Sequence, residues 1–371
     1  MKEISNIKKV QFNDVVIVNG YIWGVSNITS SLFRIKLDTY EVEIVAFLGD
    51  IVEENFYPSG LFVRGNTLYI TMFNNSGLIT YNMSDGDVKA HNMCQASIPY
   101  SRALLYENSI YIVPRNIKNE IIIYDLSSQK SIQTYAKPID PRKEDLVEDG
   151  QIIAPIIDRE YIWSIIVGTN KLISIHAKSK RYQIYELEYL SFAVAFFIKG
   201  NEFWVLDKND LLVVFDKDTM NVKRVKQYEC FQGAYSHMIL LEDKIVFVPM
   251  YGCKLYSCNF IDLELEEFEA GLVEDTRIAD GSLYYSSMKY NKDTYFFPCK
   301  TNILLTYNEE DKVIKKRELC FKDCDLTMPF VFGEKTRSCL TDYMNMNLQM
   351  KKMDKRIDNK GKTIFDNLKE E

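Results

Sequence analysis

The chain has 371 residues, 47% of them hydrophobic and 26% charged, enough to bury a sizeable core. Its 52 acidic side chains outnumber 45 basic ones, for a formal net charge of -7; a nucleic-acid backbone, which needs a dense basic stripe, is therefore not the expected partner. With 9 prolines and 16 glycines the sequence is neither collagen-like nor low in complexity, and no apolar run is long enough to cross a membrane as a helix.

The chain begins MKEISNIKKVQFND, without the apolar stretch of a secretory signal, so a cytoplasmic location is expected. In a reducing compartment the eight cysteines read as small buried hydrophobes rather than disulfides. A turn residue followed by an apolar-aromatic run then recurs along the chain. The copies are NGYIWGVS from Asn19, NTLYITMF from Asn66, NSIYIVPR from Asn108, REYIWSII from Arg159, NEFWVLDK from Asn201, DKIVFVPM from Asp243 and KDTYFFPC from Lys292. Their spacings are 47, 42, 51, 42, 42 and 49 residues. A further strand precedes each run, as in SRALLYE before Asn108, and two more follow, joined by a tight polar turn such as SDGD or KDTM.

Each unit thus supplies four short strands, A to D. The B strands are almost continuously apolar, as expected where both faces are covered. The D strands carry Lys and Glu, as expected at an outer edge that must resist pairing with another sheet. Seven such units predict an all-β fold, a single seven-bladed β-propeller of four-stranded antiparallel blades. The chain resembles the β-propeller superfamily over residues of about 5 to 335. The kelch glycine doublet, the Gly-His and Trp-Asp pairs of WD repeats and the Asp boxes of sialidases are missing. The turn DKDTMNV (Asp216 to Val222) is similar to that of YVTN-type and quinoprotein-type propellers. The resemblance implies architecture and carries over no functional residue.

Two insertions break the period, KPIDPRKEDLVEDGQ (Lys137 to Gln151) and GLVEDTRIADG (Gly271 to Gly281), each either a part of a binding face or a plain surface excursion. The domain reading is a propeller over 1–335 and a charged, Met-rich tail over 336–371, helical or disordered. Closure of the ring has two solutions: N-terminal residues complete the last blade, or LTMPFVFGE (Leu326 to Glu334) packs under the first.

Ligands of propellers usually meet the face formed by the loops entering strand A and those joining B to C. The register places Tyr57, Asn74, Tyr100, Arg102, Arg115, Asn116, Tyr235, His237, Tyr251, Lys300 and Asn302 on that rim. Tyr, Asn and Arg converging there suit a sugar or an anionic group; the plain alternative is that the Tyr-Ser pairs simply pack the inner strands. Only three histidines exist, His91, His176 and His237, and the first two fall on outer strands or turns. CKLYSC (Cys253 to Cys258) and CFKDC (Cys320 to Cys324) come nearest to metal-ligand spacing, with Cys299 or Cys339 as further ligands of the second, yet neither forms a convincing zinc knuckle. No dinucleotide, phosphate-loop, nucleophile-elbow or zincin motif occurs, so no cofactor is expected.

The function read from the residues is that of a monomeric, non-catalytic recognition or scaffolding protein. It binds a protein or a carbohydrate-like small molecule on one propeller face, with neither nucleic acid nor membrane as partner. The rival is a lyase or hydrolase with its site at the central channel. Convergence of His237, Arg102 and Arg115 with a carboxylate would favour that rival.

Overall fold

The computed structural model describes residues 12–26, 30–49, 51, 57–73, 77–92, 100–140, 151–228, 235–249, 254–269, 284–299, 301 and 303–319. These residues form no helix; they build seven antiparallel sheets arranged as the blades of a propeller.

Blade 1 is β1 (Asp14–Val18), β2 (Tyr21–Ser26), β3 (Ser31–Lys36) and β4 (Val42–Phe47). Blade 2 is β5 (Pro58–Arg64), β6 (Thr67–Met72), β7 (Gly77–Asn82) and β8 (Val88–Asn92). Blade 3 is β9 (Tyr100–Tyr106), β10 (Ser109–Pro114), β11 (Glu120–Asp125) and β12 (Lys130–Tyr135). Then β13 (Lys137–Pro138) precedes blade 4, made of β14 (Gln151–Asp158), β15 (Tyr161–Val167), β16 (Lys171–His176) and β17 (Arg181–Glu186). Blade 5 is β18 (Ala193–Lys199), β19 (Glu202–Asp207), β20 (Leu211–Asp216) and β21 (Val222–Gln227). Blade 6 is β22 (Tyr235–Leu240), β23 (Lys244–Pro249), β24 (Leu255–Asn259) and β25 (Leu265–Glu269). Blade 7 is β26 (Tyr284–Tyr290), β27 (Asp293–Pro298), β28 (Ile303–Asn308) and β29 (Ile314–Glu318).

The gradient of burial from inside to outside follows the sequence. Strand β19 is buried from Phe203 to Asp207, whereas β21 alternates between exposed and half-buried residues. The core is a set of clusters between neighbouring blades. Trp23, Val25 and Leu32 of blade 1 pack on Leu61, Leu68 and Ile79 of blade 2, and Trp163 and Leu172 of blade 4 on Phe203 and Phe215 of blade 5. Each such apolar side chain contributes ~1.5–3 kcal/mol by leaving water.

The recurring turn residue has a structural cause. In every blade the residue four positions after the end of strand C takes a left-handed backbone: Tyr40, Gly86, Gln129, Lys180, Met220, Leu263 and Lys312. Only one of the seven is glycine, so the side chains must secure the turn. They do so from the last residue of strand C. Asp125, Asp216, Asn259 and Asn308 each accept two backbone N–H bonds through Oδ1, and His176 does the same through Nδ1. The C–D turn is also tied to the A–B turn, where Asn66, Asn108 and Asn201 accept through their carbonyls and donate through their amides.

Outer edges carry a charge order. The basic β21 and β29 flank the acidic β25, giving Lys226–Glu264 at 2.6 Å and Lys316–Glu269 at 2.9 Å across two blade boundaries. Exposed pairs of this kind add little stability, but the reversed order would place like charges together. Among the described residues blade 4 alone gains a fifth strand. Of the first insertion, Lys137 and Pro138 pair in parallel with Arg181 and Tyr182 of β17, covering part of that edge. Its remainder, 141–150, and the second insertion lie outside the described residues.

N-terminal residues are not needed to complete the last blade, because blades 1 and 7 are each built of four consecutive strands. The seam is closed by packing instead. Phe12 donates its N–H to the Pro298 carbonyl at 3.0 Å, and its ring meets Phe33 edge-on at 4.9 Å and Phe297 at 5.6 Å. The segment 326–334 and the tail 336–371 lie outside the described residues. Gly24 makes room for this clasp, since a Cβ there would stand 2.7 Å from the Phe33 ring and 2.9 Å from the Phe12 ring. Both rings are wholly buried and cannot swing away. Gly24→Ala is therefore expected to cost about 2–3 kcal/mol in a urea titration, and to make the seam between blades 7 and 1 the first place cut by a protease.

Candidate functional site

Five of the innermost strands are bent near their first residues by a bulge. In β5, β18, β22 and β26 one residue is inserted between the first pair of the ladder and the next, and β9 is irregular at the same place. β1 has no such shift. Matching the ladders through the bulges aligns Asp14, Gly60, Ala195, His237 and Ser286, all opposite the penultimate residue of strand B, with Arg102 in the corresponding bulge.

Asp14 and Arg102 are in direct contact, and the charge of Arg102 is felt at His237. Asp14 of blade 1 is 3% exposed. Its Oδ2 accepts the Leu61 N–H of blade 2 at 2.8 Å and its Oδ1 accepts Arg102 Nη2 of blade 3, also at 2.8 Å. Only part of the guanidinium is used, and the Arg102 side chain remains 49% exposed. His237 comes from blade 6, across the ring. Burial and then the charge of Arg102 push its pKa down to about 4, which keeps the imidazole neutral at physiological pH.

Arg115 does not join them. Its guanidinium lies over the Phe73 ring at 4.2 Å, its carbonyl accepts the Ile152 N–H at 2.7 Å, and burial lowers its pKa. It belongs to a lacing that runs around this face. Tyr100 donates to the Phe73 carbonyl, Ile152 to Arg115, Ala193 to Thr169, and Phe12 to Pro298. Each link ties an inner strand, or the residues leading into it, to the end of strand B or the B–C loop of the blade before it.

Of the other rim residues, Tyr57 is 41% exposed at the start of β5. Tyr100 is a correction: it is fully buried in the cluster between blades 2 and 3, so it supports the rim rather than lining it. Asn116 caps its own turn by accepting the Lys118 N–H at 2.9 Å. Tyr235 opens β22 opposite Pro249. Asn74, Tyr251, Lys300 and Asn302 lie outside the described residues.

Asp14 is the residue that sequence reasoning missed. Arg102 and His237 stand six residues before the turn-opening Asn108 and Asp243, whereas Asp14 stands five before Asn19 because its strand lacks the bulge. His91 and His176 are structural, the first bonded to Thr80 Oγ1 at 3.0 Å and the second capping its turn. Cys258 is buried, with its thiol pushed up to about 11 by burial, which makes it a poor nucleophile. Cys253, Cys320, Cys324 and Cys339 lie outside the described residues. Among the described residues no three His, Cys, Asp or Glu side chains are grouped to hold a metal ion.

Two carboxylates lie close together where strand B of blade 5 runs into its B–C loop. Asp207 is almost fully buried, which would raise its pKa, but N–H bonds from Phe192, Asn209 and Ser191 hold it below the ordinary value. Asp210 shares the loop with its Oδ1 buried and without a partner. Burial and then Asp207 raise its pKa to about 6. A carboxylate whose folded pKa exceeds its unfolded value of 3.8 weakens the fold at neutral pH, and stability returns as pH falls through 6. Asp210→Asn is therefore expected to be more stable than wild type at pH 8, by about 1 kcal/mol after discounting for its solvent access. That advantage should vanish by about pH 4–5 in thermal melts of the two proteins.

No protein-family model matches the chain, and no curated protein matches it either. Among solved structures it is similar to virginiamycin B lyase from Staphylococcus aureus, at 13% identity, covering 74% of this chain and 88% of that one, with a TM-score of 0.53. It is also similar to the Cps50 (Swd1) β-propeller domain of Myceliophteria thermophila, at 10% identity, 84% and 98% coverage and a TM-score of 0.55. The computationally designed Ika8 protein aligns at 9% identity, 86% and 93% coverage and a TM-score of 0.54. At such identities the likeness is one of fold.

Proposed function

We propose that the protein is a monomeric cytoplasmic recognition module. The face bearing the axial cluster takes up an anionic group of its ligand, whether that ligand is a protein or a carbohydrate-like small molecule. The observation that supports it is Arg102, a guanidinium fixed at one nitrogen by the buried Asp14 and half exposed otherwise. Such a fork is pre-organised, so little side-chain freedom is lost when it meets a carboxylate. The propeller over 1–335 is the binding unit in this reading, and the tail over 336–371 is separate from it.

The test is recovery of partners from the native host with the full chain, with Arg102→Gln, and with a chain ending at Glu334. The glutamine amide still donates to Asp14, so the variant should fold. A partner held by the full chain and the shortened chain but lost from Arg102→Gln is the expected result. Equal recovery with Arg102→Gln would sink the assignment, and loss only on shortening would move the site to the tail.

A second reading has an observation of its own. His237 is held neutral by burial and by the charge of Arg102, a group that could serve a lyase or hydrolase, and one of the similar solved structures is a lyase. That reading requires turnover of a substrate by the full chain that His237→Ala abolishes while binding persists.

A further inference from the structure

Among the described residues three arginines are half-buried, Arg34, Arg115 and Arg224, and each lies over an aromatic ring. Arg34 stands over Tyr21 at 4.8 Å and bonds Glu43 at 2.8 Å. Arg224 stands over Trp204 at 4.5 Å and bonds Glu202 at 3.1 Å. Arg115 stands over Phe73 at 4.2 Å, but among the described residues no carboxylate meets it. Its Nε is buried without a partner, and burial lowers its pKa with no acid to raise it. A guanidinium drawn part-way out of water without a counter-charge weakens the fold. The ring of Phe73 offsets some of that cost. What Arg115 lacks, beside the other two, is the acid.

The place is the rim between blades 2 and 3. Arg115 follows β10 into its B–C loop, and Phe73 follows β6 in blade 2. Phe73 donates its N–H to the Tyr57 carbonyl at 2.6 Å, so Tyr57, 41% exposed, adjoins the ring on which Arg115 is stacked. Arg102 belongs to the same blade as Arg115. Tyr100 pairs with Pro114, which sets the two arginines two to three residues apart along adjacent strands, roughly 7–10 Å. Both make their contacts on the preceding blades: Arg102 on Asp14, which also holds Leu61 of blade 2, and Arg115 on Phe73. Two arginines and an exposed tyrosine thus share one rim, and these residue types anchor protein interfaces.

We propose that this rim binds an acidic segment of a partner protein, with one carboxylate on Arg115 and a second on the exposed edge of Arg102. This rests on the recognition reading given above and narrows its ligand to an acidic peptide. The partner supplies to Arg115 what Glu43 supplies to Arg34 and Glu202 to Arg224. Side chains two residues apart on an extended peptide are about 7 Å apart, a spacing that two long arginine side chains span. Each guanidinium offers one planar edge, which fits one carboxylate; the two stand apart rather than forming the basic cluster that a phosphate draws.

Fluorescence anisotropy on the full chain tests this with a labelled octapeptide carrying two glutamates two residues apart, beside its glutamine and phosphoserine counterparts. The glutamate peptide should bind saturably and the glutamine peptide should not. Arg115→Gln should weaken the glutamate peptide roughly tenfold, the effect of one charge-assisted bond. Its melting temperature should equal or exceed that of wild type, because an unpaired half-buried charge is gone. Arg115→Lys keeps the charge but loses the fork, and should recover only part of the affinity. No saturable binding of the glutamate peptide overturns the proposal, as does an Arg115-dependent preference for the phosphoserine peptide. A lower melting temperature for Arg115→Gln with unchanged affinity would make the residue structural and also overturn it. Should that variant fail to fold, Arg115→Lys carries the test, and wild-type affinity there decides against the proposal. Partner recovery that depends on Arg102 but not on Arg115 would leave the recognition reading standing without this second contact. Peptide binding lost with Arg115→Gln, but with no partner dependent on Arg102, would support the Arg115 site and retire the earlier reading.

Discussion

Asp14→Ala is expected to be the most damaging single substitution on the inner strands, lowering stability by about 2–4 kcal/mol. The carboxylate is 3% exposed and bonds two blades at once, through the Leu61 N–H and Arg102 Nη2. Truncation strands the Leu61 N–H in a buried site and leaves the Arg102 charge uncompensated on one side. Water can still reach the half-exposed guanidinium, which is why the loss is placed below that of a fully buried pair. Asp14→Asn should recover more than half of it, because the amide oxygen can still accept from Leu61. Urea titrations of the three proteins read this directly. A wild-type midpoint for Asp14→Ala would mean that blades 1, 2 and 3 are not joined through this carboxylate.

The same substitution separates what was legible in the sequence from what was not. The seven B strands could be read because both of their faces are covered, so each appears as an unbroken apolar run such as YIWGVS or EFWVLD. Four strands per unit, and seven units, followed from that. The inner strands resisted the same reading because a single bulged residue moves every later side chain to the other face. Arg102 and His237 could be placed by their spacing to the following turn, but Asp14, one residue out of step, could not. Tyr100 misled for a related reason: it opens its strand one step earlier than a rim position and turns into the core between blades. The left-handed turns were half legible. Asp216 in DKDTMNV announces its turn, whereas His176 fills the same role with an imidazole, and Lys36 holds the place in blade 1 without a capping acceptor. A pattern search for Asp or Asn finds neither.

Lys217 and Asp158 allow the second large effect to be predicted with a built-in asymmetry. Lys217 follows the end of strand C in blade 5, a place filled by Leu37, Met83, Leu126 and Ala177 in blades 1 to 4. It reaches back to Asp158 of blade 4 at 2.5 Å, with 8% of its side chain exposed against 29% for the carboxylate. Removing Asp158 strands an ammonium with little access to water, so Asp158→Ala should cost about 3 kcal/mol or somewhat more. Removing the charge from Lys217 strands only a carboxylate that is already partly wet. Lys217→Met, matching the residue used in blade 2, should therefore lie within about 1 kcal/mol of wild type, and the double variant Lys217→Met, Asp158→Ala should be more stable than Asp158→Ala alone. The double-mutant cycle, run by urea denaturation at low and high salt, decides it. Rescue of Asp158→Ala by Lys217→Met at both salt concentrations would show that the penalty is that of a buried unpaired charge. Equal losses for the two single variants would instead mean that the pair itself holds blade 5 to blade 4.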